Sequence, residues 1–273
     1  MLKKTRSTTM KKRKTEESPE DLGIYPAADF ETGDTALIYG RSGTGKTTLF
    51  ATWPKPALLL NISDDGIGSV KKIKGLDVVD VKDLDHLDRI YNKLRDGKHS
   101  YKTVGIDTIT KLQDMIVQSK ISDDGRNKRI DFGTLSRKDW GDVAGTLKEK
   151  LTDFRDLSKA KGMNVIFLAQ DRVFNGGEED EGTEDMHIGP AVSPSVKSAV
   201  CAMVNLVANT FIREKKTKKE VNGRKTIIKR MQYCLGIGPS ALYVRKFRKD
   251  KEVALPDFIV DPSYDAINET LEG

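Results

Sequence analysis

An eight-residue segment, Gly40-Arg41-Ser42-Gly43-Thr44-Gly45-Lys46-Thr47, constrains the fold of this chain more than any other feature. Its glycines, lysine and threonine have the spacing of a phosphate-binding loop. Such a loop lies between a strand and a helix. The required context is present, because apolar Ala36-Leu37-Ile38-Tyr39 precedes the segment and Thr47-Thr48-Leu49-Phe50 follows it. The segment therefore predicts a strand, a loop that surrounds an anion, and a helix.

The residue types of this loop specify its chemistry. Glycines allow backbone N–H groups to point inward at a β-phosphate, and the following helix places its positive end at the same anion. Lys46 is predicted to reach the β- and γ-phosphates, and the hydroxyl of Thr47 to ligate Mg²⁺. Thr48 completes the predicted binding segment, which runs from Gly40 to Thr48. The ligands expected here are ATP and Mg²⁺.

Apolar segments of strand length alternate with helical patterns over most of the chain. Strands are predicted at 35–39, 57–60, 78–81, 103–106, 165–169 and 204–213. Helices are predicted at 46–53, 84–94, 139–161 and 195–203. Continuous apolar strands that alternate with helices are typical of an α/β fold, in which helices cover both faces of a mainly parallel sheet.

Three segments are predicted from the changes in composition. Residues 1–22 form a disordered basic tail, 23–213 the nucleotide-binding core, and 214–273 an extension of the same domain. The extension begins with a β-hairpin whose turn lies near Asn222-Gly223, a strong signal for a two-residue turn. Within the core, the Gly- and acid-rich residues 171–193 predict a long loop.

Charge and composition limit the classes of function. The net charge is +6, which permits nucleic-acid binding without establishing it. The tail is rich in lysine and arginine, and it either contacts a phosphate backbone or is a solvated leader. No apolar run approaches the roughly 18 residues that cross a bilayer. We expect a cytoplasmic protein without membrane contact, whose two cysteines are reduced thiols.

Two predicted strands end in polar residues that suit a nucleotide site. Asp107 follows Val104-Gly105-Ile106, and an acidic residue at such a strand end holds Mg²⁺ through water in phosphate-loop enzymes. Thr108 is expected to support the water shell of the metal. Gln170 follows the strand 165–169, where an amide can touch the γ-phosphate and report its loss.

Hydrolysis also requires a group that orients or deprotonates the attacking water. Asp64 and Asp65 follow the second strand and could supply it. The alternative position beside Asp107 holds Thr108, so the first place is favoured, with Asp64 ahead of Asp65. Both aspartates also suit an ordinary turn before Gly66.

Taken in this order, the motifs resemble the RecA-like ATPase core. More narrowly, they are similar to phage-encoded ATP-binding proteins of the RecA-like recombinase and single-strand-annealing group. The resemblance covers about residues 30 to 270 and includes Tyr243-Val244-Arg245-Lys246-Phe247-Arg248 and Leu255-Pro256. Lys46 and Thr47 match the phosphate and Mg²⁺ contacts, Asp107 matches the second acidic motif, and Gln170 matches the sensing position.

The resemblance implies a RecA-type core, ATP hydrolysis, binding of single-stranded DNA and a homo-oligomeric ring or filament. It also implies partners among phage recombination or replication proteins. Two features depart from the family pattern. The acidic turn usually reads Asp-x-Glu-Gly, whereas this chain has Asp64-Asp65-Gly66, so hydrolysis is expected to use a shorter carboxylate or to be slow. The loop that contacts DNA in RecA proteins is acidic here, at residues 178–185, so DNA contact is expected at the hairpin, 215–230, or at the tail.

Three functions remain open at the level of sequence. The first is an ATP-dependent protein that binds single-stranded DNA in phage recombination, repair or replication. The second is a nucleotide switch that resembles a helicase loader and acts on protein partners. The third is a small-molecule P-loop kinase, which the acidic loop disfavours because kinases usually carry an arginine-rich lid.

RecA-like assemblies complete each nucleotide site with a basic residue from the neighbouring subunit, where it stabilises charge on the transferred phosphoryl group. Candidates lie in Tyr243-Val244-Arg245-Lys246-Phe247-Arg248. Strand alternation places Lys246 and Arg248 on the face opposite Phe247. These two residues are therefore expected to reach outward, unless the segment is an ordinary edge strand.

Overall fold

One nine-stranded sheet organises the described part of the chain. The computed structural model describes residues 26, 32–62, 65–123, 135–175, 186–221, 224–248 and 254–272. All of its helices and strands lie within the compact unit Thr32–Gly273. The predicted basic tail, 1–22, lies outside the described residues.

The strands and helices follow one another in the order that the alternating pattern predicts. The strands of the large sheet are β1 (Thr35–Tyr39), β2 (Ala57–Asn61), β3 (Leu76–Asp80), β4 (Thr103–Asp107), β5 (Asn164–Ala169), β8 (Leu206–Val221), β9 (Arg224–Gly236), β10 (Lys246–Phe247) and β11 (Phe258–Val260). A separate antiparallel pair is formed by β6 (Asp171–Phe174) and β7 (His187–Pro190). The helices are α1 (Lys46–Phe50), α2 (Leu84–Asp96), α3 (Ile109–Asp123), α4 (Arg137–Lys161), α5 (Pro194–Met203) and α6 (Tyr264–Glu272), with a 3₁₀ helix at Asp65–Ser69.

The strand order of the sheet is β11-β9-β8-β1-β5-β4-β2-β3, with β10 paired to β8. The six strands from β8 to β3 are parallel, whereas β9, β10 and β11 are antiparallel to their neighbours. The parallel strands consequently end at one edge. Tyr39 lies beside Ala169 on one side and beside Asn209 on the other, and Asn61 lies beside Asp107.

Helices cover both faces of the sheet. Successive residues of β1 alternate between two cores, because Leu37 and Tyr39 belong to one core and Ala36 and Ile38 to the other. The first core is completed by apolar residues of α2, α3, α4 and α5, and the second by residues of α1 and α6. The predicted α/β class, with a mainly parallel sheet and a C-terminal β-hairpin, is confirmed.

The hairpin continues the sheet without a break. Strand β8 begins beside β1 and then pairs with β9 from Asn209↔Gly236 to Val221↔Arg224. It therefore crosses the expected boundary between 213 and 214 as one strand. The predicted turn, Asn222-Gly223, lies outside the described residues.

Two expectations from the sequence were wrong. Residues 171–193 were expected to form a loop, but β6 and β7 pair there, and Phe174 is fully buried. Pairing between distant segments stabilises these short strands, so local composition does not predict them.

Helix α1 was expected to extend to Trp53 but ends at Phe50. Helices α3 and α6 are additional to the predicted elements. Among the described residues, no helix is long and apolar enough to span a membrane.

Gly105 allows α1 to pack closely on β4. A Cβ atom at this position would lie 2.4 Å from Cε2 of Phe50, whose side chain is fully buried. A contact of this length forces the ring or the strand to move, and overpacking of this kind typically costs about 1–3 kcal/mol. The close approach therefore fixes the helix that follows the phosphate loop relative to the strand that carries Asp107.

We predict that Gly105→Ala lowers the free energy of unfolding by about 1–3 kcal/mol. The matched control is Gly141→Ala in α4, where an added Cβ would meet no heavy atom within 4 Å. This control should be neutral or raise stability by about 0.4–1 kcal/mol, because alanine restricts the unfolded chain. Chemical denaturation of both variants measures the difference, and equal stabilities would contradict the packing assignment.

Candidate nucleotide-binding site

The phosphate loop follows β1 at the carboxyl edge of the sheet. The amide of Gly40 donates to the carbonyl of Ala169 over 3.2 Å, which fixes the start of the loop beside β5. Gly45 has φ 91°, a left-handed conformation that side-chain-bearing residues rarely adopt. A Cβ at Gly40 would lie 2.5 Å from the carbonyl oxygen of Thr210. Glycine is thus required at the two ends of the loop.

Lys46 closes the loop from inside. Its Nζ donates to the carbonyl oxygens of Gly40 over 2.8 Å and of Arg41 over 3.0 Å, and its side chain is buried. Arg41, Ser42 and Gly43 are exposed. An added Cβ at Gly43 would meet no heavy atom within 4 Å, so there is open space at this point. An ammonium group inside a loop with an open mouth fits the phosphates of a nucleotide.

Thr47 and Asp107 form the hard-oxygen pair that a magnesium site requires. The hydroxyl of Thr47 donates to Oδ2 of Asp107 over 2.6 Å, and Asp107 is only 2% exposed. Hydroxyl and carboxylate oxygens are the donors that Mg²⁺ accepts, together with phosphate oxygens of the substrate. The two predicted metal residues therefore fit the ion. Among the described residues, no larger group of His, Cys, Asp and Glu could hold a metal by itself.

The predicted acidic turn follows β2, and the residue after it, Gly66, lies close to Thr47 and Asp107. Asp64 lies outside the described residues, and Asp65 begins the 3₁₀ helix. A Cβ on Gly66 would lie 3.1 Å from Oγ1 of Thr47 and 3.7 Å from Oδ2 of Asp107. The backbone at Gly66, just after the two candidate catalytic carboxylates, therefore lies close to the predicted metal residues.

Gln170 lies at the end of β5, next to the first glycine of the loop. Its backbone amide donates to Oγ1 of Thr110 over 3.1 Å, and its carbonyl accepts the amide of Ala191 over 2.7 Å. Thr108, the neighbour of Asp107, accepts the amide of Lys111 over 3.2 Å and so caps the first turn of α3. The sensing role of Gln170 and the water-shell role of Thr108 stay predictions.

A cavity of about 750 Å³ opens over the loop, a size within the range of small-molecule sites. Its lining includes the predicted metal residues Thr47 and Asp107, together with Gly66 and Ser69. The remainder of the lining comes from the phosphate loop, the start of α1 and three residues of the C-terminal extension, Tyr233, Asp261 and Pro262. Sequence reasoning missed these three residues, because nothing in their local pattern marks a ligand site.

The sequence profile that is described as an AAA domain matches residues 32–248, most of the chain and all of the loop and metal residues above. The chain belongs to the AAA domain family. No curated protein matches the sequence. Among solved structures, the KaiC-like protein from the hyperthermophilic archaeon Pyrococcus horikoshii OT3 is 14% identical, with coverage of 85% of this chain and 91% of that chain and a TM-score of 0.40.

This AAA domain is a P-loop ATPase domain, and its phosphate loop is hydrogen-bonded to β8, the first strand of the hairpin. Oγ1 of Thr44 donates to the carbonyl of Arg41 over 2.7 Å and lies 2.7 Å from Oγ1 of Thr210, which is buried in β8. Sequence reasoning missed Thr210, since a single threonine in an apolar strand carries no motif. The contact connects the nucleotide loop directly to the strand that becomes the basic hairpin.

The basic segment near the C-terminus serves the fold of its own chain. Lys246 Nζ donates to three carbonyls at the end of α5, those of Cys201, Ala202 and Val204, over 2.7–3.0 Å. Arg248 donates to Ala202 over 2.7 Å. Cations at a helix C-terminus satisfy its free carbonyls. The expectation that both residues reach outward is therefore not met.

Burial sets the pKa of two groups near this segment. It raises the pKa of the Cys201 thiol to about 11, so the group stays protonated at neutral pH and is a poor nucleophile. It also raises the pKa of Tyr39, whose hydroxyl donates to the carbonyls of Ile188 and Val244. Both cysteines are free thiols, as the sequence predicts.

We predict that Lys46→Ala weakens ATP binding about 10- to 150-fold, because a hydrogen bond to a charged group contributes roughly 1.5–3 kcal/mol. Isothermal titration gives the dissociation constant. Lys55→Ala is the control, since Lys55 also donates to a backbone carbonyl near α1, that of Ala51, but does not line the cavity. Wild-type affinity in the Lys46 variant would exclude the loop as the phosphate site.

Asp107→Asn should weaken ATP binding in Mg²⁺ and leave it unchanged or tighter in EDTA. The amide keeps the size of the side chain and loses the charge that attracts the metal and repels the nucleotide. Titrations in both buffers separate these effects. Asp80→Asn removes a carboxylate from the same sheet edge, where Asp80 accepts from Asn61, and should change neither value. An equal loss with and without metal would contradict the assignment.

Proposed function

We propose that this AAA domain binds and hydrolyses Mg-ATP and acts on single-stranded DNA, which it contacts through the β8–β9 hairpin. The observation that carries the proposal is the continuity of β8. Thr210 contacts the phosphate loop, and Lys215 follows on the same strand, roughly 17 Å away at the rise of an extended chain. One rigid element therefore joins the nucleotide cavity to a basic surface.

Each residue of the site is assigned one role in the binding and hydrolysis of ATP. Lys46 binds phosphate oxygens and reduces their charge, and Thr47 and Asp107 hold the metal. Mg²⁺, when bound, neutralises and polarises the phosphates. A carboxylate of the acidic turn, Asp64 or Asp65, orients or deprotonates the attacking water. The position of Gly66 supports this assignment, because Gly66 directly follows Asp65 and lies close to Thr47 and Asp107.

The two faces of the hairpin differ in the charge that they offer to DNA. Lys216 and Lys229 lie opposite each other and share Glu214, over 3.7 and 3.3 Å. Lys215 and Arg230 pair on the other face and are exposed. Because Glu214 offsets the first pair, we assign the phosphate contacts chiefly to Lys215 and Arg230.

The resemblance to phage RecA-like proteins extends the proposal to the biological process and to the assembly in which the protein acts. It favours a role in phage recombination, repair or replication, and a homo-oligomeric ring or filament in which several hairpins line up along one strand of DNA. Binding without sequence preference is expected, since lysine and arginine contacts to phosphates carry no base information.

A nucleotide switch that acts on a protein partner is the second candidate. It is favoured by three neighbouring exposed apolar side chains on the face of the hairpin that carries Glu214: Ile212, Met231 and Tyr233. Apolar groups that lie together on a surface are typical of protein contacts. Such a switch would hydrolyse ATP at a rate that DNA does not change.

Turnover of ATP with and without single-stranded DNA tests the proposal. We expect hydrolysis that requires Mg²⁺, disappears in Lys46→Ala and accelerates when single-stranded DNA is added. The mass of the protein in solution, measured in the same buffers, reports assembly. Turnover that is independent of DNA at every concentration would favour the protein-directed switch, and the absence of turnover with bound ATP would contradict the hydrolytic role.

Lys215→Ser with Arg230→Ser should lower the affinity for a single-stranded oligonucleotide and flatten its salt dependence. Each lost phosphate contact reduces the slope of log K against log salt by about 0.7, so the pair should reduce it by about 1.4. Fluorescence anisotropy at several salt concentrations gives the slope.

The matched control for this measurement is Lys216→Ser with Lys229→Ser. It removes the same charge from the same strands but from the face that carries Glu214. We expect a smaller change in slope from this pair. An unchanged slope in both double variants would exclude the hairpin as the DNA site.

A further inference from the structure

The nucleotide cavity extends beyond the phosphate loop toward the C-terminal extension. Its lining includes the predicted metal residues Thr47 and Asp107, which are hydrogen-bonded to each other, and Gly66, which lies close to both. Tyr233, Asp261 and Pro262 line the cavity as well, and they come from a different part of the chain. A volume of about 750 Å³ is more than a triphosphate needs, so the cavity has room for a further group of the ligand.

Tyr233 presents an aromatic ring to this cavity. It lies in β9 opposite Ile212, and its Cδ1 atom is 3.4 Å from the position of a Cβ on Gly45, the last glycine of the loop. Strand pairing fixes its backbone, yet the residue is 47% exposed. An aromatic ring that projects from a paired strand and exposes part of its surface beside a phosphate site is a platform on which a planar group can stack.

The turn at Asp261 holds Pro262 at the same wall. Asp261 has φ 48°, a left-handed conformation for a residue with a side chain, and its amide donates to the carbonyl of Tyr233 over 2.8 Å. The chain then enters α6, where the amide of Tyr264 donates to Oγ1 of Thr52 just beyond α1. Strained backbone is retained where surrounding structure fixes it, commonly beside ligands. The turn is thus anchored both to β9 and to the segment that follows α1.

We propose that Tyr233 and Pro262 form the base subsite of this cavity. The proposal rests on the proposed function, in which the phosphates bind at the loop. The base of the nucleotide stacks on Tyr233 while Pro262 supplies an apolar wall, and the base then contributes affinity that the phosphates alone do not. Tyr233 is accordingly a specificity-determining residue.

Comparison of ATP with inorganic tripolyphosphate, each titrated in Mg²⁺ by calorimetry, tests the proposal. Wild-type protein should bind ATP more tightly than tripolyphosphate. Tyr233→Ala and Tyr233→Leu should each weaken ATP about 5- to 150-fold, the range for loss of one base–aromatic stack, and leave tripolyphosphate unchanged. Tyr233→Phe keeps the ring and should keep wild-type affinity.

Met231→Ala is the control for surface truncation, because Met231 is 67% exposed on the same face of β9, two residues away. Unfolding midpoints verify that each variant is folded. Unchanged ATP affinity in both the alanine and the leucine variants, or an equal loss for ATP and tripolyphosphate, would overturn the base subsite. Failure of Lys46→Ala to weaken tripolyphosphate would instead overturn the phosphate site, so the two failures are distinguishable.

Discussion

Strand β1 is hydrogen-bonded on both sides, to β5 and to β8, and the arrangement of the site depends on this double pairing. Because all three strands are parallel, their carboxyl ends meet at one edge, where ligands bind in open α/β sheets. The loop that leaves β1 is then held by β5 through the amide of Gly40 and by β8 through Thr44 and Thr210. A phosphate loop restrained on two sides can present its backbone to an anion without further ordering.

The same edge of the sheet carries a buried carboxylate, that of Asp107, which is predicted to bind the metal. Asp107 is almost completely buried, and an ionised carboxylate in such a place must have hydrogen-bond donors. Thr47 supplies one, and its position in the first turn of α1 is fixed because Phe50 packs over Gly105. Packing between α1 and β4 therefore sets the distance between the two predicted metal residues.

The strength of local signals explains how much of the structure the sequence predicts. Lys46, Thr47 and Asp107 were predictable because a short motif and an apolar strand place them, and the structure brings Thr47 and Asp107 together. Thr210, Tyr233 and Pro262 were not, since they come to the site from segments that are distant from the loop in the chain. Similarly, β6 and β7 form by pairing of residues 13 to 19 positions apart in the chain. The prediction for Lys246 was wrong because its hydrogen-bond partners lie at the end of α5, which the sequence pattern does not place beside it.

The strand that touches the phosphate loop also carries the basic hairpin, so occupancy of one site should alter the affinity of the other, and equally in both directions. The most direct test is the affinity for a single-stranded oligonucleotide, measured with and without a non-hydrolysable ATP analogue in Mg²⁺. The predicted result is a different affinity in the two conditions, with the difference lost in Lys46→Ala. The same affinity in both conditions, with the analogue shown to be bound, would contradict a connection between nucleotide and DNA through β8.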